Sequence, residues 1–180
     1  YTTLFRSLLI IETSENARAF QLKTPLEGLF VLGDSLQPKN TTGILGAAKK
    51  NASLALDLIR KSMQSAEWNI ISAETAREAL RDAPIEAVNS ALGNIDNRDI
   101  AKEAIEMLRK NNIAPDSLGA LMTRQHRNLS GLIGVSTEKI DRMVDSAVSA
   151  GAWGAKMNGS GGGGCMFAYT SADRADYVEK

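Results

Sequence analysis

The alternation of apolar and polar residues changes character along the chain. Near the start, short apolar runs are separated by turn-forming residues, a pattern typical of strands. From residue 43 onward, apolar residues recur every three or four positions, which is typical of helices that bury one face. After residue 150, apolar runs return around a glycine tract, and a last segment opens like another helix. The pattern predicts strands, then a block of helices, then strands and a helix.

The bounds of these elements follow from the apolar runs and from residues that start or stop helices. The predicted strands are residues 4–11, 20–22, 29–32, 153–157 and 165–169. The predicted helices are residues 43–63, 72–81, 97–110, 117–133 and 136–151, with another starting at 171–174 and with Pro84 and Gly93 lying between helices. This order predicts an α+β fold with its helices on one side of the sheet. Because a strand opens the chain and a helix start closes it, we expect a piece of something larger that lacks a terminal strand.

Composition narrows the class of protein. The 180 residues are 43% hydrophobic and 23% charged, enough for a single domain with a sizeable core. Lys plus Arg and Asp plus Glu both number 21, so no net field attracts nucleic acid or an anionic membrane. No apolar run has the length of a membrane span and no targeting segment is recognisable, so we expect a cytoplasmic protein. One cysteine and one histidine, Cys165 and His126, allow neither an internal disulfide nor a Cys/His zinc cluster.

The glycine tract is the most informative segment. Five of the six residues from Gly159 to Gly164 are glycines. Glycine tolerates positive φ and close backbone approach, so consecutive N–H groups can converge on a phosphate or pack on another loop. A flexible linker has the same composition, but apolar strands on both sides favour a structured loop. Because the tract leads into a strand and Lys156 precedes it, it is neither a dinucleotide-binding fingerprint nor a Walker A loop.

The tract and its flanks resemble a known family. The segment from Gly154 to Cys165, GAKMNGSGGGGC, is similar to the third motif of the GHMP small-molecule kinases, G-x-K/R-x-T-G-x-G-x-G-G-C. Asn158 stands where threonine is commoner in that motif. Further similarities in order and spacing lie upstream, in GDS at 33–35, LGALM at 118–122, His126 and GVST at 134–137.

The resemblance implies a ferredoxin-like sheet with an inserted helical block, forming the C-terminal domain of such a kinase over residues 1–180 and truncated at both ends. It implies an ATP-dependent transferase that phosphorylates a hydroxyl of a sugar, as galactokinases do, with a mevalonate-like alcohol as the alternative acceptor. The family's nucleotide-phosphate loop, P-x-x-x-G-L-x-S-S-A, does not occur in this chain. ATP and Mg²⁺ would therefore be bound mainly by an N-terminal domain in cis. The resemblance accordingly implies no catalytic residue and no metal ligand here, and the isolated chain is expected to be inactive.

The resemblance also implies where the site lies. It places part of the glycine loop near phosphate or substrate, namely Lys156, Asn158, Gly159, Ser160, Gly161, Gly162, Gly163 and Gly164. Asp34 and Ser35 follow an apolar strand expected to be buried, and we predict that they contact the acceptor substrate. For both residues, a turn or a helix cap is an equally good interpretation. The same choice applies to Lys39, and for Lys156 a solvated side chain competes with an anion contact.

Two residues are expected to be structural. His126 lies on a helix with apolar residues nearby in period, which favours packing over catalysis. Cys165 opens an apolar strand, which favours a buried and unreactive thiol.

Two functional classes remain open on this basis. One is the C-terminal half of a small-molecule kinase, and the other is a non-catalytic ferredoxin-like module that binds a ligand or a partner chain. The glycine loop is compatible with both. An apolar surface that the other domain would cover is expected to make the chain self-associate.

Overall fold

The computed structural model describes residues 8–12, 18–22, 26–110 and 113–179. The first strand, β1, is Leu8–Glu12, and β2 is Arg18–Leu22. They pair antiparallel as a separate two-stranded sheet, with Ile10 opposite Phe20 at its centre. The predicted strand over residues 4–11 begins outside the described residues, and its second half is β1.

A second sheet joins segments that lie before and after the helical block. Its strands are β3, Leu29–Asp34, β4, Gly154–Met157, and β5, Cys165–Thr170. The strand order is β3-β5-β4 and both pairings are antiparallel, so β5 is central and the other two are edges within the described chain. The predicted α+β architecture is confirmed, with a sheet built from segments on both sides of the helical block.

Six α-helices follow the predicted order. They are α1, Thr41–Ser62; α2, Ala73–Ala79; α3, Ile85–Arg109; α4, Pro115–Arg127; α5, Glu138–Ser149; and α6, Ala175–Glu179. A π-helical turn, Asn128–Leu132, continues α4, and a short 3₁₀ turn precedes α6. Two of the predicted starts carry caps, because Ser72 and Thr137 accept the N–H groups of Thr75 and Ile140.

The third helix differs from the prediction. It runs through Gly93 and starts directly after Pro84, twelve residues earlier than expected. A Cβ at Gly93 would lie 2.9 Å from Ile133 Cγ1 and 3.0 Å from Leu132 Cβ. Glycine is therefore needed there for contact between α3 and the π-helical turn, and this tertiary contact outweighs its low helix propensity.

The end of the fourth helix also differs. The sequence pattern predicts a continuous helix to residue 133. In the structure, the α-helix ends at Arg127 and continues as the π-helical turn. Asn128 lies in this turn and donates to Asp96 Oδ2 at 2.7 Å and to Asn97 Oδ1 at 3.0 Å on α3. These two bonds fix the turn against α3.

The core covers one face of the β3-β5-β4 sheet. Ala155, Met157, Met166 and Ala168 point from the sheet into a cluster formed with α5, and a second cluster joins α1, α2 and α3. The opposite face is covered only in part: Tyr169 is fully buried there with Leu108 of α3 and Leu118 of α4, so the expectation that the helices lie on one side of the sheet is wrong. Phe30 is 49% exposed and Leu32 65% exposed, so the expectation that β3 is a buried strand is wrong. At an edge of the sheet, β3 buries only alternate residues.

Candidate functional site

The loop Asn158–Gly164 joins β4 to β5 and forms the centre of the candidate site. Its base is closed by the N–H of Asn158, which donates to the carbonyl of Cys165 at 2.9 Å. All five of its glycines have positive φ, between 71° and 111°. This backbone is one that side-chain-bearing residues rarely adopt, which explains the composition of the tract.

The segment after β3 lies directly against this loop. Ser35 N–H donates to Gly164 O at 2.9 Å, and Asn40 N–H donates to Gly162 O at 2.9 Å. In return, Gly164 N–H donates to Gln37 O at 3.3 Å. The polar segment 35–40 and the glycine loop are therefore two halves of one backbone-bonded layer.

A third segment supports the loop from the helical side. Gly162 N–H donates to Val135 O at 2.8 Å, just before α5. A Cβ at Gly161 would overlap that same carbonyl, and one at Gly162 would lie 2.8 Å from Asn40 O. The close backbone approach predicted for the glycines is thus an approach to the chain's own carbonyls. The N–H groups of Gly162 and Gly164 are used in these contacts and are not available to an anion.

Two lysines lie beside the loop. The side chain of Lys39 runs over it, since a Cβ at Gly164 would overlap Lys39 Cε and one at Gly159 would be 3.7 Å from Lys39 Nζ. Lys156 is half-buried, donates from Nζ to Met157 O at 3.0 Å, and lies 5.1 Å from the centroid of the Phe167 ring. Burial lowers the pKa of Lys156. Neither lysine has a carboxylate partner among the ion pairs of the described residues.

Asp34 and Ser35 close a turn at the end of β3. Asp34 Oδ1 accepts the N–H of Leu36 at 2.9 Å, and Ser35 Oγ accepts the N–H of Gln37 at 3.2 Å. Leu36 has a φ of 54°, and these two bonds hold the chain in that conformation. Ser35 is fully buried, whereas Asp34 is exposed and keeps one carboxylate oxygen outside this turn. Asp34 does not cap α1, whose N-cap residue is Asn40.

An open cleft of about 470 Å³ lies next to the loop and was not predicted. It is formed by α1, the start of α3 and residues 131–134, with Asn40 shared between the cleft and the glycine-loop layer. Asn51, Asn89 and Glu86 line it with polar groups, opposite Ile44 and other apolar residues. These side chains come from separate segments, which is why the sequence did not reveal the cleft. The one local signal is Asn51, a polar residue at helical spacing from Ile44 and Ala48 on the apolar stripe of α1.

His126 is buried behind the loop, as the packing interpretation expected. It is 4% exposed, and its Nδ1 accepts the N–H of Met157 at 3.3 Å. Its Nε2 lies 3.1 Å from Asp141 Oδ1, in a contact too bent to count as a linear hydrogen bond. Burial lowers the pKa of His126, and the Asp141 carboxylate partly opposes this shift. Cys165 is half-buried rather than fully buried.

Two properties of the described residues concern metal binding and membrane insertion. Nowhere in the described part of the chain do three His, Cys, Asp or Glu side chains gather in a way that could hold a metal ion. Among the helices of residues 26–110 and 113–179, none has the length and hydropathy needed to cross a membrane.

The C-terminal part of the chain is similar to known protein sequences. Residues 101–179 match the family model described as GHMP kinases C terminal. Mevalonate kinase from Thermococcus gammatolerans is 42% identical over 84 residues, covering 47% of this chain and 24% of the relative. Galactokinase from Mycobacterium tuberculosis is 36% identical over 97 residues, covering 48% of this chain and 27% of the relative.

Comparison with solved structures covers more of the chain. The structure of Lactococcus lactis galactokinase complexed with galactose matches 91% of this chain and 42% of that protein, with a TM-score of 0.80 and 19% identity. L. major mevalonate kinase in complex with R-mevalonate matches 96% of this chain and 43% of that protein, with a TM-score of 0.58 and 20% identity. At these identities the structural matches establish the fold.

The fold and the loop together define the class, an α+β domain of the type found in small-molecule kinases. Within that class, residues 101–179 are similar to the C-terminal domain of the GHMP kinases, and the resemblance drawn from the glycine motif is confirmed. The sequence matches span about a quarter of the length of the curated relatives.

Proposed function

We propose that this chain forms the C-terminal part of an ATP-dependent kinase that phosphorylates a hydroxyl group of a small molecule. The observation that carries the proposal is the glycine loop seated on residues 35–40, with Lys39 over it, in a chain of the GHMP kinase fold. An N-terminal domain in cis is proposed to supply the nucleotide-phosphate loop, the catalytic carboxylate and the groups that hold Mg²⁺. No catalytic residue is assigned to this chain.

The chain's own contribution is positioning and charge. Phosphoryl transfer concentrates negative charge on the transferred group, and fixed cations near it lower the barrier. Lys39 and Lys156 can supply such charge at the edge of the loop. The loop keeps its shape without a ligand, because its glycines are bonded to the segment 35–40 and to Val135. This preorganisation avoids an ordering cost when substrate binds.

For the acceptor, we propose a sugar, held by the free carboxylate oxygen of Asp34. A charged acceptor can take hydrogen bonds from several hydroxyls, each worth roughly 1.5–3 kcal/mol. The support is the high structural similarity to a galactokinase. The adjacent cleft, with Asn51, Asn89 and Glu86, has the polar lining that a hydroxylated ligand needs. Ser35 is proposed to hold Asp34 in position, because its buried hydroxyl accepts a hydrogen bond within the same turn.

A mevalonate-like alcohol is the second candidate acceptor, and the higher sequence identity to mevalonate kinases favours it. A non-catalytic module of the same fold is the alternative outside kinase chemistry. We further propose a cytoplasmic location, and self-association through the exposed apolar face around Phe30 and Leu32.

The test is ATP turnover by the whole protein with galactose, other hexoses and mevalonate as acceptors. Lys39→Ala should raise the KM for ATP about tenfold or more, as expected for loss of one charge-assisted contact. Lys49→Ala is the matched control, because Lys49 is an equally exposed lysine on α1 away from the loop. Turnover with mevalonate alone would reject the sugar acceptor, and no turnover with any acceptor would support the non-catalytic module.

A further inference from the structure

We propose that His126 is a positioning residue for the glycine loop: it holds the last residue of β4 through the backbone N–H of Met157, and protonation of its ring releases that contact. The proposal rests on the loop's proposed role in phosphate positioning. It assigns a task to the one buried imidazole, which sequence reasoning treated as packing alone.

The first step is the location of Met157. It ends β4, and Asn158, the first residue of the glycine loop, follows directly. Because β4 pairs only with β5 in the described chain, its outward N–H groups have no strand partner. Two side chains of α4 accept them instead: Thr123 Oγ1 from Ala155 N–H at 3.1 Å, and His126 Nδ1 from Met157 N–H at 3.3 Å. Thus α4 acts as the neighbour of this edge, and His126 holds the point where the loop begins.

The second step is the support of the ring itself. Nε2 lies 3.1 Å from Asp141 Oδ1 on α5, and Asp141 Oδ2 accepts the hydroxyl of Ser130 at 2.6 Å. The ring is therefore held between α5 and β4. Val135, just before α5, accepts the N–H of Gly162, so the loop is held at its start by α4 and further along by the segment before α5.

The third step is the protonation state. Because Nδ1 accepts a hydrogen bond, the ring is neutral and carries its proton on Nε2, facing Asp141. A second proton would have to sit on Nδ1, where it would face the N–H of Met157. The charged groups that face the ring are Asp141 and Asp145 of α5 and Lys156 of β4. The carboxylates favour the imidazolium, whereas Lys156 and burial oppose it.

The sign of the pH dependence follows. Burial holds the pKa of folded His126 below its ordinary value near 6.5. The contact is therefore complete at neutral pH and is lost as the pH falls through the lowered pKa. The loop should therefore loosen as the pH falls through that lowered pKa.

The two ring nitrogens can be separated by substitution. His126→Asn places an amide oxygen near the position of Nδ1, so it can accept from Met157 but does not reach Asp141. His126→Gln places its amide near Nε2, so it can contact Asp141 but leaves the Met157 N–H without an acceptor. Both variants remove the ring, and asparagine is one methylene smaller than glutamine. Lost packing alone would therefore harm His126→Asn more, which is the opposite of the order expected here.

The experiment is residue-resolved amide hydrogen exchange on the protein at about pH 7.5 and at a lower pH at which an NMR titration shows His126 to be protonated, both corrected for intrinsic exchange. In the wild type, protection of Met157 and of the loop should fall about tenfold at the lower pH, the range of one hydrogen bond. His126→Gln should lack that protection at both pH values, and His126→Asn should keep it at both.

Equal loss of protection in the two variants would overturn the proposal, since the ring would then only fill space. Protection that is independent of pH in the wild type would overturn the protonation step. Kinetics provide the second readout: His126→Gln should raise the KM for ATP more than His126→Asn does. If no acceptor is phosphorylated, the proposed function fails, while the exchange measurement still decides the role of His126.

Discussion

The close approach of the glycine loop to Val135 can be measured as a difference between two alanine substitutions. Gly159 and Gly161 have almost the same backbone, with φ of 79° and 82°. A Cβ at Gly159 would meet only the flexible end of Lys39, at 3.7 Å, whereas a Cβ at Gly161 would overlap the Val135 carbonyl. The two variants therefore share the backbone cost and differ in the steric one.

The magnitudes follow from these contacts. Placing a Cβ at positive φ lowers the free energy of unfolding by about 1–2 kcal/mol in both variants. Overpacking costs about a further 1–3 kcal/mol, and this cost applies only to Gly161→Ala. If the loop moves to relieve the overlap, the bond from Gly162 N–H to Val135 O is lost as well, at about 1 kcal/mol. Gly161→Ala should therefore be less stable than Gly159→Ala by about 1–4 kcal/mol.

The assay is urea unfolding of both variants beside the wild type, with the slope checked for two-state behaviour. In a thermal scan the same difference corresponds to roughly 2–4 °C per kcal/mol for a domain of this size. Equal free energies of unfolding would refute the steric argument. Gly161→Val should lower both stability and activity, because the neighbour that its Cβ crowds is the chain's own Val135 carbonyl.

Three further predictions concern substrate contact, helix packing and completeness of the site. Asp34→Asn keeps an oxygen that can accept the Leu36 N–H, so the turn should persist. In steady-state kinetics the acceptor KM should rise about ten- to a hundredfold while the KM for ATP stays unchanged. An unchanged acceptor KM would mean that Asp34 only stabilises the turn. Gly93→Ala should lower the free energy of unfolding by about 1–3 kcal/mol, whereas Gly46→Ala, with nothing within 4 Å of its Cβ, should raise it by up to about 1 kcal/mol; the reverse order in urea unfolding would contradict the assigned packing. Residues 1–180 alone should show no ATP turnover with galactose or mevalonate, and turnover that survives rigorous purification would contradict this.

Local features of the fold were predictable, whereas those that depend on distant partners were not. Ser72 and the positive φ of the loop glycines follow from residue type and near neighbours. The helical role of Gly93 could not be predicted, because it depends on contact with Ile133, forty positions away. The exposure of Phe30 depends on β3 being an edge strand, which the apolar run does not reveal.

In the candidate site, too, local features were predictable and contacts between distant segments were not. The glycine tract and Lys156 were visible as a motif, and Asp34 as a polar residue after a strand. Lys39 over the loop, the Val135 carbonyl beneath it and the cleft at Asn51 come from separate segments that only the fold brings together. Sequence reasoning placed His126 correctly in the interior, but its two distinct nitrogen contacts require the positions of β4 and α5.

The sheet joins segments from both sides of the helical block, and this has a consequence for the order of folding. Tyr169 on β5 donates to the carbonyl of Glu27, 142 positions away, whereas β4 and β5 are joined by a short hairpin. Closing so long a loop is entropically costly, so nearby pairings form first and β3 joins last. The segment 35–40 arrives with β3, and the glycine loop gains its partner only at that step. A partly folded chain would thus already contain its helices and the β4–β5 hairpin, yet have no complete site with which to bind substrate.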